Sequence, residues 1–182
     1  CKKNEMSKFI GIRHEDKYLM ELRAPLTPKH IERLIQHYKL DFIVQSSEKR
    51  IFKDEEFIKA GAKIAKDLKK CDIILGIKEI PESFFEPEKT YVFFSHVIKG
   101  QPYNMPMLKR MVELKCNLID YEKIIDEEGK RLIFFGRDAG LAGMINTMWA
   151  YGKRQKYLGK ETKLSRIKQA HLYNSLDDLT SM

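Results

Sequence analysis

The residues best equipped for proton chemistry sit at the ends of apolar runs. "ILGIKEIP" presents Lys78 and Glu79 where an aliphatic run stops at Pro81, and "FFSHVIK" presents His96 and Lys99 after two phenylalanines. In open parallel α/β sheets, ligands collect beyond the carboxyl ends of the strands. If these two runs are neighbouring strands, Lys78 and His96 overlook one crevice. A partly desolvated ammonium near other cations gives up its proton more readily and becomes a usable base near neutral pH. An imidazole beside it can carry a second proton. Taken singly, a strand-end lysine is ordinarily a surface cap and a single histidine ordinarily structural. Arg23, in "MELRAPLTP", stands just before a helix and can fork onto a carboxylate, or pair at the surface with Glu21 or Glu32.

Other chemistries find less support. The chain has no G-x-G-x-x-G and no G-x-x-x-x-G-K-[ST]. The amides of "GRDAGLAG" (136–143) could cradle an anion at a helix start, yet Gly140 and Gly143 would equally let that helix pack close to the sheet. His14, His30, His37, His96 and His171 lack ligand spacing, so no metal is expected. No serine elbow accompanies them. Cys71 and Cys116 read as small core residues. With Cys1 they are too few and scattered for a disulfide framework, which favours a reducing cytoplasm.

The elements that must position these residues alternate between strand and helix. "KFIGIR" (8–13), "DFIVQ" (41–45), "CDIILGIKEI" (71–80), "YVFFSH" (91–96) and "NLIDYE" (117–122) read as strands, the third buried on both faces. A turn at Glu128–Gly129 enters a sixth, "RLIFFG". "LTPKHIERLIQH" starts a helix with Thr27 as N-cap and Pro28 at its first position, burying Ile31, Leu34 and Ile35. "KDEEFIKAGAKIAK" has Asp54 as cap and a stop near Gly61. "MPMLKRMVELK" and a long helix from "AGLAGMINTMWAYGKRQKYLG" follow, the latter with Ala139, Met144, Met148 and Tyr151 as contacts. After about residue 160 the pattern weakens. This order indicates an α/β fold, a Rossmann-like three-layer sandwich around a mainly parallel sheet.

The 182 residues suffice for one domain with an appendage. No apolar run is long enough to span a membrane, and the N-terminus has no apolar signal region. The net charge of +8 concentrates in residues 151–168, without aromatic interleaving or a nucleic-acid-binding motif. It reads as a solvated helix face, and would also suit anionic substrates.

The order "GIRHEDKYLMELRAPLTP", "ILGIKEIP", "FFSHVIKGQPYNMP", "LIDYEKIIDEEGKRLIFFGRDAGLAGMI" resembles the N-terminal substrate domain of the alanine dehydrogenase and transhydrogenase superfamily. It is most similar to the branch of lysine-forming saccharopine dehydrogenases and lysine–2-oxoglutarate reductase domains. "SHVIKGQPYN" and "FGRDAGLAG" carry that branch, although Asp138 stands where an aromatic residue is common. The resemblance implies a reductive amination: the lysine ε-amine adds to the ketone of 2-oxoglutarate, water is lost, and a nicotinamide hydride reduces the imine to saccharopine. It assigns the acid–base pair to Lys78 and His96, a substrate carboxylate to Arg23, and tuning or substrate-binding carboxylates to Glu79 and Glu122.

The resemblance further implies an N-terminal extension over 1–7, a substrate domain over 8–160, and a connector over 161–182 towards a dinucleotide-binding Rossmann domain missing from this chain. NAD or NADP then serves the complete enzyme, with none expected on this chain alone. The implied partners are a small amino acid, a 2-oxo acid and that Rossmann domain in cis or trans. A homo-oligomer is compatible; nucleic acid and membrane are not expected. Two other readings stay open, an alanine dehydrogenase-like domain and a non-catalytic amino- or keto-acid binding module.

Overall fold

The computed structural model describes residues 9–173 and 177–178, so the extension expected over 1–7, with Cys1, lies outside them. The chain divides into two compact units that meet in sequence at Ile133 and Phe134.

The first unit is built on a six-stranded, wholly parallel sheet: β1 (Phe9–Ile12), β2 (Asp41–Gln45), β3 (Lys63–Ala65), β4 (Ile73–Leu75), β5 (Thr90–Phe93) and β6 (Asn117–Asp120). Their spatial order is β3-β2-β1-β4-β5-β6. Successive strand residues point to opposite faces, and the two cores follow that alternation. Ile10, Ile12, Phe42, Val44 and Ile64 join α1 (Pro28–Tyr38) and α2 (Asp54–Lys59) through Ile31 and Phe57 on one face. Ile43, Ile74, Tyr91 and Phe93 join α3 (Met105–Glu113) through Met107 and Met111 on the other. Burying each large apolar side chain contributes about 1.5–3 kcal/mol. Phe85 meets Tyr91 edge-on at 4.8 Å, and burial pushes the Tyr91 phenol up to about 12. At Gly11 the backbone comes close to Cys71, whose side chain lies 3.2 Å from where a Cβ would stand.

Local chemistry explains most element ends. Thr27 Oγ1 accepts from the His30 amide at 3.2 Å, capping α1, and Lys39 closes that helix with φ +54°. Glu56 Oε1 accepts from the Lys53 amide at 2.7 Å, so Lys53, not Asp54, holds the cap position of α2. Asp54 is instead the first helical residue, its carboxylate drawn off by Arg50 at 2.5 Å and Ser46 at 2.6 Å. Gly61, at φ +93°, ends the turn after α2 as expected.

The strand count agrees with the sequence but its membership does not. "KIA" forms β3, too short and too flanked by lysines to show a period. "RLIFFG" makes no strand; a single antiparallel bridge joins Ile125 and Arg131, and Leu132 and Phe134 are exposed. The run 71–80 is a strand over Ile73–Leu75 alone; Ile74 is buried in the α3 core and Leu75 packs against the α1–α2 core, while Ile73 is 37% exposed.

In the second unit, α4 (Gly136–Tyr157) packs on 3-10 turns at Lys163–Arg166 and Ala170–Leu172. Of the expected contacts, Ala139, Met144 and Tyr151 are exposed and Met148 is half-buried; Ile145 and Gly152, seven residues apart on one stripe, are buried. A Cβ on Gly152 would lie 2.3 Å from the Leu164 carbonyl oxygen, whereas Gly140 and Gly143 face open space and make no close packing possible. Among the described residues, no helix is long and apolar enough to cross a membrane. Gly152→Ala should therefore lower the stability of this unit by about 1–3 kcal/mol through overpacking. Gly140→Ala should raise it by up to about 1 kcal/mol through helix propensity. Chemical denaturation monitored by circular dichroism separates the two.

Candidate functional site

The strand order reverses between β1 and β4. From β1 the chain builds outward through β2 and β3 on one side, and through β4, β5 and β6 on the other. At such a switch point the connections leave in opposite directions and open a crevice beyond the carboxyl ends. Four strand ends supply its polar residues: Glu15 and Lys17 after β1, Lys78 and Glu79 after β4, His96 after β5, and Tyr121 and Glu122 after β6.

Glu15 is buried and closes the gap between the two central strands. Its Oε1 accepts from the Ile77 amide at 2.7 Å and its Oε2 from the Lys78 amide at 2.9 Å. Burial raises its pKa above the ordinary carboxylate value, against the pull of those two amides and of Arg13. Further along the same connection, Glu21 receives the Arg23 guanidinium in a fork, Nε at 2.7 Å and Nη2 at 2.6 Å. Burial works to raise the Glu21 pKa, but Arg23 outweighs it and the value is lowered, with Lys78 adding to the effect.

Glu79 gathers a second cluster. Its Oε1 accepts from His96 Nδ1 at 2.8 Å, and its Oε2 forms an ion pair with the Lys17 ammonium at 2.8 Å. Burial would raise the Glu79 pKa; Lys17 and His96 prevail and hold it below the ordinary carboxylate value. His96 itself adopts φ +52°, a left-handed conformation that non-glycine residues seldom take and that clusters at functional sites. Asn104, buried before α3, donates to the His96 carbonyl at 3.4 Å. Phe94 stacks on the imidazole with centroids 6.2 Å apart and meets Tyr121 edge-on at 5.0 Å. Ser95 Oγ donates to Asp120 Oδ2, while Asp120 Oδ1 accepts from the Glu122 amide at 2.8 Å. A cleft of about 490 Å³ lies beside Glu79 and Lys17, with Tyr103, Asn104 and Met107 on its α3 side.

The structure sets Lys78 and His96 at the ends of directly paired strands. Lys78 lies within the field of Glu21, whose pKa it helps to lower. Arg23 is engaged with Glu21, the surface pairing weighed from sequence, and Glu122 with Arg131 at 3.1 Å. Lys99 is exposed in the turn after His96. Sequence reasoning missed Glu15, Lys17 and Asp120. The strand-end rule applied to β1 would have found the first two, but only the sheet order reveals that β1 borders β4.

Among the described residues, no group of three or more His, Cys, Asp and Glu side chains could hold a metal ion. The switch point also does not suit a dinucleotide pyrophosphate. The β1–α1 connection, residues 13–27, contains no glycine, and the amides that face the crevice from the β4 end are already taken by a carboxylate. A phosphate there would meet Glu15 as a like charge.

Residues 11–142 match the family described as "Alanine dehydrogenase/PNT, N-terminal domain". The chain belongs to this family. Among curated relatives, it is 40% identical over 167 residues to the mitochondrial alpha-aminoadipic semialdehyde synthase of Bos taurus, covering 91% of this chain and 18% of that protein. It is 38% identical over 151 residues to the saccharopine dehydrogenase [NAD(+), L-lysine-forming] of Neurospora crassa, covering 78% of this chain and 40% of that one. The chain thus spans under a fifth of the length of the bovine relative. Among solved structures, an L-alanine dehydrogenase superposes with a TM-score of 0.58 at 17% identity, covering 67% of this chain and 34% of that one. A transhydrogenase from Sinorhizobium meliloti gives 0.54 at 16%, covering 78% and 38%. These two likenesses show the Rossmann-like α/β fold that the family's sequence pattern implies.

Glu79 provides a test of the site's electrostatics. Its folded pKa lies below the ordinary 4.5, so its charge adds stability that is present above that value and lost as pH falls through the lower folded one. Glu79→Gln should cost about 1–3 kcal/mol at neutral pH and flatten the acid limb of stability against pH, measured by urea denaturation from pH 7 down to 3.

Proposed function

We propose that this chain is the substrate-handling part of an NAD(P)-dependent oxidoreductase of amino acid metabolism, and that its reaction joins lysine and 2-oxoglutarate into saccharopine. The observation that carries the reading is the Glu79–His96 hydrogen bond at the end of β5, with Lys78 at the end of the adjoining strand. Its support from relatives is the 40% identity to a semialdehyde synthase and the 38% identity to a lysine-forming saccharopine dehydrogenase. The shares of the whole proteins covered are small, so the activity is inferred for the protein that contains this chain. Within it, residues 8–160 act as the substrate domain and 161–182 lead towards the dinucleotide-binding part.

Three proton problems must be solved in such a condensation. The attacking amine must be neutral, the carbinolamine oxygen must leave as water, and the nitrogen must be protonated again after reduction. Lys78 and His96 form the acid–base pair for these transfers. Glu79 holds the Nδ1 edge of the imidazole, which fixes the tautomer and gives Nε2 the role of exchanging protons. Arg23 receives a carboxylate of the oxo acid by exchanging it for Glu21 in the same two-pronged geometry. Glu79 and Glu122 line the charge environment in which the ammonium of the amino acid is received. The nicotinamide, when bound, supplies the hydride; its pyrophosphate is held outside the crevice described here. The bovine relative's name places that protein in mitochondria, so a mitochondrial compartment stands beside the cytoplasmic one that the cysteines favour.

The full-length protein should oxidise NADH or NADPH when given lysine and 2-oxoglutarate, and not when given pyruvate and ammonia. Lys78→Met and His96→Gln should each lower kcat by about a hundredfold or more. Arg23→Gln should chiefly raise the KM for 2-oxoglutarate, by about ten- to a hundredfold for the loss of a charged fork. Full turnover in both acid–base variants would remove the assigned roles, and turnover with pyruvate and ammonia in the absence of lysine would favour the alanine dehydrogenase-like reading.

A further inference from the structure

We propose that Glu15 is a positioning residue for Lys78: its carboxylate fixes the backbone from which the Lys78 side chain enters the crevice, and protonation releases that backbone. The inference rests on the acid–base role given to Lys78 above.

The argument begins where the sheet ends. β1 and β4 stay in register up to Ile12 and Leu75. One bond further, the Arg13 amide donates to the Leu75 carbonyl at 2.9 Å, and on the other side the Gly76 amide reaches the Val92 carbonyl at 2.9 Å. Beyond this point β1 turns away, and the amides of Ile77 and Lys78 lose any strand to donate to. Buried amides need an acceptor. Glu15 supplies two, one oxygen for each amide. The clamp therefore uses both oxygens of an ionised carboxylate, which has acceptors and no donor.

This makes the arrangement sensitive to protonation in a way a single hydrogen bond would not be. Protonation turns one of the two acceptor oxygens into a hydroxyl, a weaker acceptor that brings an O–H donor into the clamp. The groups that bear on Glu15 come from several elements: Arg13 at its own strand end, Glu21 and Arg23 from the connection to α1, and Tyr121 from the end of β6. Burial holds the Glu15 pKa above the ordinary carboxylate value. The clamp is accordingly closed above that raised value and opens as pH falls through it, which adds an acid limb to any step that depends on Lys78.

Glu15→Gln tests this with little change in volume, since an amide keeps one acceptor and sets its NH2 against the second backbone N–H. Glu15→Asp keeps the charge on a stem one methylene shorter. In the full-length protein, hydrogen–deuterium exchange read on peptides covering residues 73–81 should be at least tenfold faster in Glu15→Gln than in the wild type, with Glu15→Asp between them. With lysine and 2-oxoglutarate, Glu15→Gln should lose at least tenfold in kcat with KM values within about threefold. Its kcat should also lack the acid limb of the wild type, and Glu15→Asp should restore part of both. Unchanged exchange in 73–81 overturns the clamp. Faster exchange with unchanged kcat and pH profile overturns the positioning role. A wild type that does not turn over lysine and 2-oxoglutarate would sink the reaction proposed above, while the exchange measurement would still uphold or sink the clamp by itself.

Discussion

A buried carboxylate spanning the two central strands organises the crevice. Wherever two parallel strands part company at a switch point, their last amides are left without partners, and water cannot reach them once the face is covered. In many doubly wound sheets an anion from outside satisfies such groups at a glycine-rich turn. Here Glu15 does so from within. That choice has two consequences: the crevice is unsuited to a second anion at that spot, and the backbone of Lys78 is tied to a titratable group.

Around this junction the charges alternate. Glu21 holds Arg23, Glu79 holds both Lys17 and His96, and Glu122 holds Arg131. Each pair keeps a cation near the crevice while lowering the cost of taking it partly out of water. Arg23 holds the internal carboxylate of Glu21 in a two-pronged fork, the geometry in which the function proposed above has it exchange Glu21 for a substrate carboxylate. The aromatic contact from His96 through Phe94 to Tyr121 joins the ends of β5 and β6. The Ser95–Asp120–Glu122 chain of hydrogen bonds does the same through polar groups.

Much of the fold was legible because the cores are covered by elements with clean periods. β2 came out at its true bounds, and α1 announced itself through Thr27 and Pro28. The errors have a common cause. "KIA" pairs as β3 although it is short and polar at its edges, and "RLIFFG" is apolar yet finds no strand edge. Apolar character says what can be buried, and the neighbours decide what is. Three of the four contacts expected of α4 failed for the same reason: the helix buries Gly152 because the segment at Leu164 lies against it.

The residue types at the ends of two apolar runs and before the first helix were enough to nominate Lys78, His96 and Arg23 as candidates and to indicate a parallel α/β sheet, since hydrophobic period and element-end chemistry are local properties. Which strands adjoin, that Glu15 reaches across to the Lys78 amide, and that Glu79 gathers Lys17 and His96 were decided by tertiary structure. Those are contacts between positions far apart in the chain, and they exist only once the burial of two cores has brought four strand ends to one edge.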